Sequence, residues 1–191
     1  MTKKIIAIGG EPGTGKSTLV KSLIDQYGYE SFRQFTYGLL RGISRDNLII
    51  LGVYPVAPQT RDSPPEPWGT DRLSTNVLDD ARRFVESLKA IRPSTHKETV
   101  ILFEGDRLFG QHFLKTCRDH SSDLIVLILT ASKELRLERG GSKKPYAKSG
   151  AWLKSKAGKV WGTARVFGAR TLVNETWADH DENLKRLCAY L

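Results

Sequence analysis

Residues 6–18 read Ile-Ala-Ile-Gly-Gly-Glu-Pro-Gly-Thr-Gly-Lys-Ser-Thr, and within them Gly10-Glu11-Pro12-Gly13-Thr14-Gly15-Lys16-Ser17 fits G-x-x-x-x-G-K-[ST] at every specified position. The context gives the pattern physical meaning. Lys4 to Ile8 is a short apolar run leading straight into glycines, which reads as a buried strand. From Thr18 to Tyr27, Leu19, Val20, Leu23 and Ile24 recur at helical spacing. A strand that turns through glycines into a helix can aim successive backbone N–H groups inward at phosphate oxygens, while the helix N-terminus favours the anion. Lys16 then supplies a point charge to the β- and γ-phosphates, and the Ser17 hydroxyl is offered to Mg²⁺. Gly10 through Thr18 (Gly10, Glu11, Pro12, Gly13, Thr14, Gly15, Lys16, Ser17 and Thr18) are therefore expected to hold ATP with its Mg²⁺.

Working outward, Phe32 to Tyr54 places apolar segments on either side of Arg41–Asn47 and predicts two strands joined by a turn, an inserted β-hairpin. Five of the eight prolines fall between Pro55 and Pro67, so that stretch predicts a loop. Leu73 to Ile91 predicts an amphipathic helix stopped near Pro93. Thr99–Phe103, Leu124–Leu129 and Arg170–Val173 predict further strands, Lys133–Arg139 a helix ended by Gly140-Gly141-Ser142, and Asp179–Leu191 a closing helix. Strands alternating with helices predict an α/β fold: three layers, with a parallel sheet covered on both faces. No repeat and no linker divides the chain. We therefore expect a single domain over 1–191, with a substrate-side insertion at 32–72 and a basic lid segment at 133–170 inside the last βαβ unit.

Phosphoryl transfer needs a carboxylate to hold Mg²⁺, directly or through water, and often one to take a proton from the accepting hydroxyl. In parallel sheets, ligand-facing residues follow the carboxyl ends of the strands. Glu104, after Val100–Phe103, occupies such a position, and Asp106 and Arg107 follow on the same loop. There they serve either substrate or a local turn ion pair. Thr70 and Asp71 in Gly69-Thr70-Asp71-Arg72 are either a helix cap or site residues.

The 191 residues carry 30 Lys+Arg against 21 Asp+Glu, a net charge of +9. Between Lys133 and Arg170 stand 11 basic residues and two acids, so the whole excess lies in that stretch and the remainder is neutral. Lys143, Lys144, Lys148, Lys154, Lys156, Lys159, Arg165 and Arg170 are interleaved with Tyr146, Trp152, Trp161 and Phe167. This is the composition of a nucleic-acid groove, with cations for phosphates and planar faces for bases. A kinase lid has the same composition; there Arg136, Arg139 and either Arg165 or Arg170 would neutralise the departing phosphoryl group. Lys154, Lys156 and Lys159 are the surplus expected to grip a strand.

Other classes are excluded. The longest purely apolar run, Leu124–Leu129, falls far short of the ~20 residues of a membrane-spanning helix. The N-terminal apolar segment is too short for a secretory signal. Cys117 and Cys188 match no metal or redox spacing, which predicts a reduced, cytoplasmic protein. His96, His112, His120 and His180 form no ligand cluster; His112 and His120, eight apart, could share one helix face, and a surface or capping role is expected for each of those two.

The ordered set of a phosphate loop, a strand-end acid, an arginine-bearing segment and a final strand and helix resembles the small P-loop kinases of the nucleoside and nucleotide kinase group. More narrowly, IAIGGEPGTGKST (6–18), LIILGVY (48–54), GTDRLS (69–74) and FEGDR (103–107) are similar to phage P-loop kinases that phosphorylate 5-hydroxymethyluracil within DNA. In those phages the phosphorylated base is an intermediate toward hypermodified thymines. The resemblance implies a P-loop NTPase fold, ATP and Mg²⁺ at Gly10, Gly13, Gly15, Lys16, Ser17 and Thr18, and DNA containing a modified pyrimidine as partner. It also implies action in the cytoplasm of the infected bacterium. Glu104 becomes either the base or, with Ser17, a magnesium partner; Asp71 and Arg72 become substrate-side residues, with Asp71 a rival for the base. A base inside a duplex must be flipped out to reach the triphosphate. Two rival readings are a kinase of a free nucleoside or nucleoside monophosphate, and a DNA-binding switch that transfers nothing.

Overall fold

Along the first strand, β1 (Lys3–Gly10), Ile5 and Ala7 pack to one side and Ile6 and Ile8 to the other, and all four are fully buried. Such a strand belongs in the middle of a sheet covered on both faces. The computed structural model describes residues 3–54, 68–88, 98–140 and 150–191. The strands that follow are β2 (Arg33–Tyr37), β3 (Leu40–Arg45), β4 (Leu48–Leu51), β5 (Thr99–Glu104), β6 (Asp123–Thr130) and β7 (Arg170–Val173). The seven form one sheet in the order β2-β3-β4-β5-β1-β6-β7. β4, β5, β1, β6 and β7 run parallel, while β2 and β3 attach antiparallel at one edge.

Helices complete three layers. On one face lie α1 (Lys16–Tyr27) and α6 (Trp177–Tyr190), which meet Ile6, Ile8, Val100 and Leu102 through Leu19, Val20, Leu23, Ile24 and Leu187. On the other lie α2 (Leu78–Ser87), α3 (Gln111–His120) and α5 (Gly150–Val166), whose Phe84, Phe113, Val160 and Ala164 cover Ile5, Ala7, Ile101 and Phe103. Each such Ile, Leu or Phe contributes roughly 1.5–3 kcal/mol by leaving water. A short helix, α4 (Lys133–Gly140), follows β6 at the sheet's C-terminal end. The expected α/β class and three-layer architecture are thus observed. Among the described residues no helix is long and apolar enough to cross a membrane.

Three local expectations need correction. Arg41–Asn47 is not a turn between two strands: Leu40–Arg45 is itself a strand, paired with β2 and β4. Leu40 and Ile43 alternate to opposite faces and both are buried, and the turns are shorter, at Gly38-Leu39 and at Asp46-Asn47, where Asp46 takes φ 49°. The helix expected from Leu73 begins only at Leu78; before it Thr70–Arg72 make a single 3₁₀ turn with no side-chain cap, so neither Thr70 nor Asp71 is a helix cap. Arg170 starts β7 level with Leu127, but its side chain turns to the closing helix, where it stacks on Tyr190 and donates to its hydroxyl at 2.9 Å, so it does not join Arg136 and Arg139 beside the loop. His180 is 5% exposed, and its Nε2 lies 2.9 Å from Ser22 Oγ, joining α6 to α1. The proline-rich stretch, the helix end near Pro93, and Lys143, Lys144, Tyr146 and Lys148 lie outside the described residues.

Candidate active site

The register places the candidate residues at one end of the sheet. Ile8 pairs with Glu104, Gly10 with Leu129 and Thr130 with Val173, so the ends of β1, β5, β6 and β7 lie side by side. Gly105 N donates to Ile8 O at 3.1 Å, fixing the Glu104–Arg107 loop beside the start of the phosphate loop.

The glycine-rich segment forms the predicted loop. The Lys16 ammonium donates to Gly10 O at 3.0 Å and Glu11 O at 3.1 Å, and so curls back over the loop. Thr14 is buried, and its hydroxyl donates to Glu11 O at 2.9 Å; Thr18 is exposed at the first turn of α1. The loop is braced from the far end of the chain. Asn174, just after β7, is 3% exposed and donates its amide to Thr14 O at 2.8 Å. Arg139 Nη1 in turn donates to Asn174 O at 2.8 Å, bringing a guanidinium beside Gly15.

The α4 arginines stand beside the phosphate loop. Arg136 forms an ion pair with Glu11, inside the phosphate loop, and Trp161 Nε1 approaches the other oxygen of that carboxylate at 3.5 Å. Both ion-pair partners are about four-fifths buried, with side-chain exposures of 18% and 22%, so the pair is far better shielded than a surface salt bridge. Arg165, by contrast, is exposed near the end of α5.

Next to the loop, three separated segments come together. Glu104 is 1% exposed, and its Oε1 accepts a hydrogen bond from Ser17 Oγ at 3.0 Å. Burial pushes its carboxyl up to about 7; Asp71 and Asp106 add to the rise, while the Lys16 ammonium and the Ser17 hydrogen bond oppose it. Thr70, fully buried, donates its hydroxyl to Glu104 O at 2.5 Å, which lays Gly69–Arg72 along the Glu104 loop. Gly69 makes this approach possible: its φ is 95°, and a Cβ there would come within 1.7 Å of Glu104 Oε1. Asp71 lies further out, its carboxylate facing Gly105, and Asp71 and Arg72 are exposed. Asp106 forms its ion pair with Lys156 of α5 and not with its neighbour Arg107, and Lys159 donates to Asp106 O at 3.4 Å. Lys154 is exposed, with no ion pair among the described residues. The Nε of half-buried Arg107 has no hydrogen-bond partner.

Oxygen donors in this arrangement fit Mg²⁺. The ion takes hard oxygens and is commonly held by one or two protein groups plus phosphates, as Ser17 with Glu104 would provide. No cluster of three His, Cys, Asp or Glu side chains suited to a metal occurs among the described residues. Sequence reasoning missed Asn174, Tyr54, and the part of Glu11 as counter-ion to Arg136. Only long-range pairing places the first two; Glu11 carried a signal, a carboxylate within a loop made to bind anions.

No protein-family model and no curated protein matches this chain. Among solved structures it is similar to an unliganded sugar kinase from Janibacter sp. HTCC2649, at 12% identity over 100% of this chain and 94% of that one, with a TM-score of 0.47. It is also similar to the protein APE1195, at 14% identity over 98% and 94% of the two chains, with a TM-score of 0.44. A third likeness is to an uncharacterized protein from Eubacterium ventriosum ATCC 27560, at 14% identity over 98% of each chain, with a TM-score of 0.41.

Proposed function

We propose that this protein is an ATP-dependent phosphotransferase with a hydroxyl acceptor, and that the acceptor is the hydroxymethyl group of 5-hydroxymethyluracil in DNA. The observation that carries the first part is the Ser17–Glu104 hydrogen bond, which ties the phosphate loop to a buried carboxylate on the acceptor loop. A buried carboxylate beside the loop serine suits Mg²⁺–nucleotide, and its raised pKa suits a second task, accepting a proton from a hydroxyl. The acceptor's identity rests on the GTDRLS and FEGDR resemblance and on the basic face of α5.

In this reading the loop N–H groups and Lys16 hold the triphosphate, and Arg136 and Arg139 stand over it where charge develops on the γ-phosphoryl oxygens. Ser17, with Glu104 directly or through water, would hold Mg²⁺, which would supply charge neutralisation to the phosphates. Glu104, poised near neutrality, orients the acceptor hydroxyl and takes its proton as the O–P bond forms and ADP departs. Thr70, Asp71, Arg72, Asp106 and Arg107 line the acceptor side, and Lys154, Lys156 and Lys159 present α5 to the strand.

The test is incubation with γ-labelled ATP and Mg²⁺ together with hydroxymethyluracil-containing DNA, ordinary DNA, or the free nucleoside or nucleotide. Label is expected only in the modified DNA. Label confined to the free nucleoside or nucleotide would overturn the DNA acceptor, and ATP-dependent DNA retention without labelled product would overturn the transferase reading.

A further inference from the structure

Tyr54 presents a phenol where a phenylalanine would pack as well. The residue is 2% exposed, at the heart of the α1-side core, and among the described residues its hydroxyl has no hydrogen-bond partner of acceptable geometry. An unpaired buried hydroxyl costs stability, so its presence calls for a partner gained in another state of the protein.

Its surroundings identify that partner. Val53 and Gly69 exchange backbone hydrogen bonds at 3.1 and 3.0 Å in an isolated antiparallel bridge, bringing the 52–54 segment against the 69–72 turn. A Cβ on Gly52 would lie 2.9 Å from Tyr54 Cε2 and 2.8 Å from Gly69 C. A Cβ on Gly69 would in turn lie 1.7 Å from Glu104 Oε1 and 3.6 Å from Ser17 Oγ. The tyrosine ring edge therefore borders the Gly69 backbone, which in turn borders the Glu104 carboxylate and the Ser17 hydroxyl. Burial above all, then the Glu104 and Asp71 carboxylates and a close approach of the hydroxyl to Glu104, push the phenol well above its ordinary value and keep it protonated; the hydroxyl is within reach of that carboxylate but not aligned on it.

Ser17 has two tasks that compete. Its proton now goes to Glu104 Oε1, yet a phosphate-loop serine directs its oxygen at the metal when Mg²⁺–nucleotide is bound. On that rearrangement the carboxylate needs another donor. We propose that Tyr54 is a positioning residue: its hydroxyl takes over as donor to Glu104 when Ser17 turns to the metal, and holds the carboxylate toward the acceptor. The proposal rests on the role given to Glu104 above, and it involves no proton transfer from the tyrosine.

Tyr54→Phe removes that oxygen alone. The free variant is expected to unfold at the same temperature as the wild type or higher, because an unpaired hydroxyl is lost. The further rise in Tm on adding Mg²⁺ to the ATP complex is expected to be smaller than in the wild type. kcat should fall about tenfold or more with KM for ATP unchanged, the pattern of an interaction made in the transition state. An unchanged Mg²⁺-dependent rise together with an unchanged kcat would overturn the proposal and leave Tyr54 a packing residue. A lowered Tm in the free variant would also overturn it, since the hydroxyl would then already have a partner. Should the wild type transfer phosphoryl to no acceptor, the Mg²⁺-dependent rise still decides the Tyr54 contact, so the two readings fail separately.

Discussion

The two halves of the site are built on different terms. On the phosphate side, the charged and polar groups of the loop and α4 are engaged: Lys16 with two carbonyls, Arg136 with Glu11, Arg139 with the Asn174 carbonyl, and the Asn174 amide with Thr14. On the proposed acceptor side a carboxylate is buried with its pKa raised to about 7, and a phenol hydroxyl and the Arg107 Nε have no hydrogen-bond partner among the described residues. The first half is mostly paired before any ligand arrives, the buried Asn174 Oδ1 being its exception among the described residues. The second carries a larger electrostatic cost, centred on a buried carboxyl, as the proposed chemistry would require.

The sharpest way to break this contrast is Lys16→Ala. It should reduce phosphoryl transfer by about 10³-fold or more, through loss of charge stabilisation, while leaving DNA retention on a filter within twofold. Parallel loss of both would mean that the two halves are not separable.

Gly69→Ala tests the acceptor side's construction. The methyl group meets Glu104 Oε1 on a residue at φ 95°. We expect a loss of roughly 3 kcal/mol in urea unfolding, with the 69–72 turn displaced and transfer lost. A variant as stable as the wild type would show that the close approach is not required.

The cost on Glu104 is measurable by pH. Burial raises its carboxyl to about 7 in the fold, against an ordinary value of 4.5, so the folded state binds the proton more tightly. Its stabilising contribution is full below about 4.5 and disappears as pH rises through about 7, by up to about 3 kcal/mol. In EDTA and without nucleotide, Glu104→Gln should remove that decline, leaving the variant more stable than the wild type at pH 8. Identical stability–pH curves would place the carboxylate in water.

The smallest effect belongs to α5. Lys154→Ala should lower the slope of log K against log salt for DNA by about 0.7–0.9, the release expected for one phosphate contact. Lys156→Ala, freeing Asp106, should alter KM for the acceptor with less change in slope. An unchanged slope for Lys154→Ala would move the DNA path off this helix.

What was legible in the sequence follows the same division. The phosphate loop is local, eight residues whose glycines, lysine and serine announce their geometry, and the strand-end position of Glu104 follows from Val100–Phe103 alone. The three-layer order was readable because the buried strands β1, β5 and β6 are near-continuous apolar runs. β3 was not readable: Arg41, Gly42, Ser44 and Arg45 look like a turn, and only pairing on both sides makes them a strand. The acceptor side was half visible. GTDRLS and FEGDR marked its segments, but the Thr70 bond to Glu104 O, the Lys156 pair with Asp106 and the Tyr54 hydroxyl depend on contacts across tens of residues. No local pattern encodes those.

Asn174 has a consequence for how the protein comes into being. The phosphate loop is synthesised before the amide that braces Thr14, which lies 160 positions later. A ribosome-bound chain that has displayed the whole glycine-rich motif still lacks its support until β7 and the residue after it emerge. The braced shape of the loop is thereby deferred until those residues are made, and a chain stopped before Asn174 carries the motif without the brace.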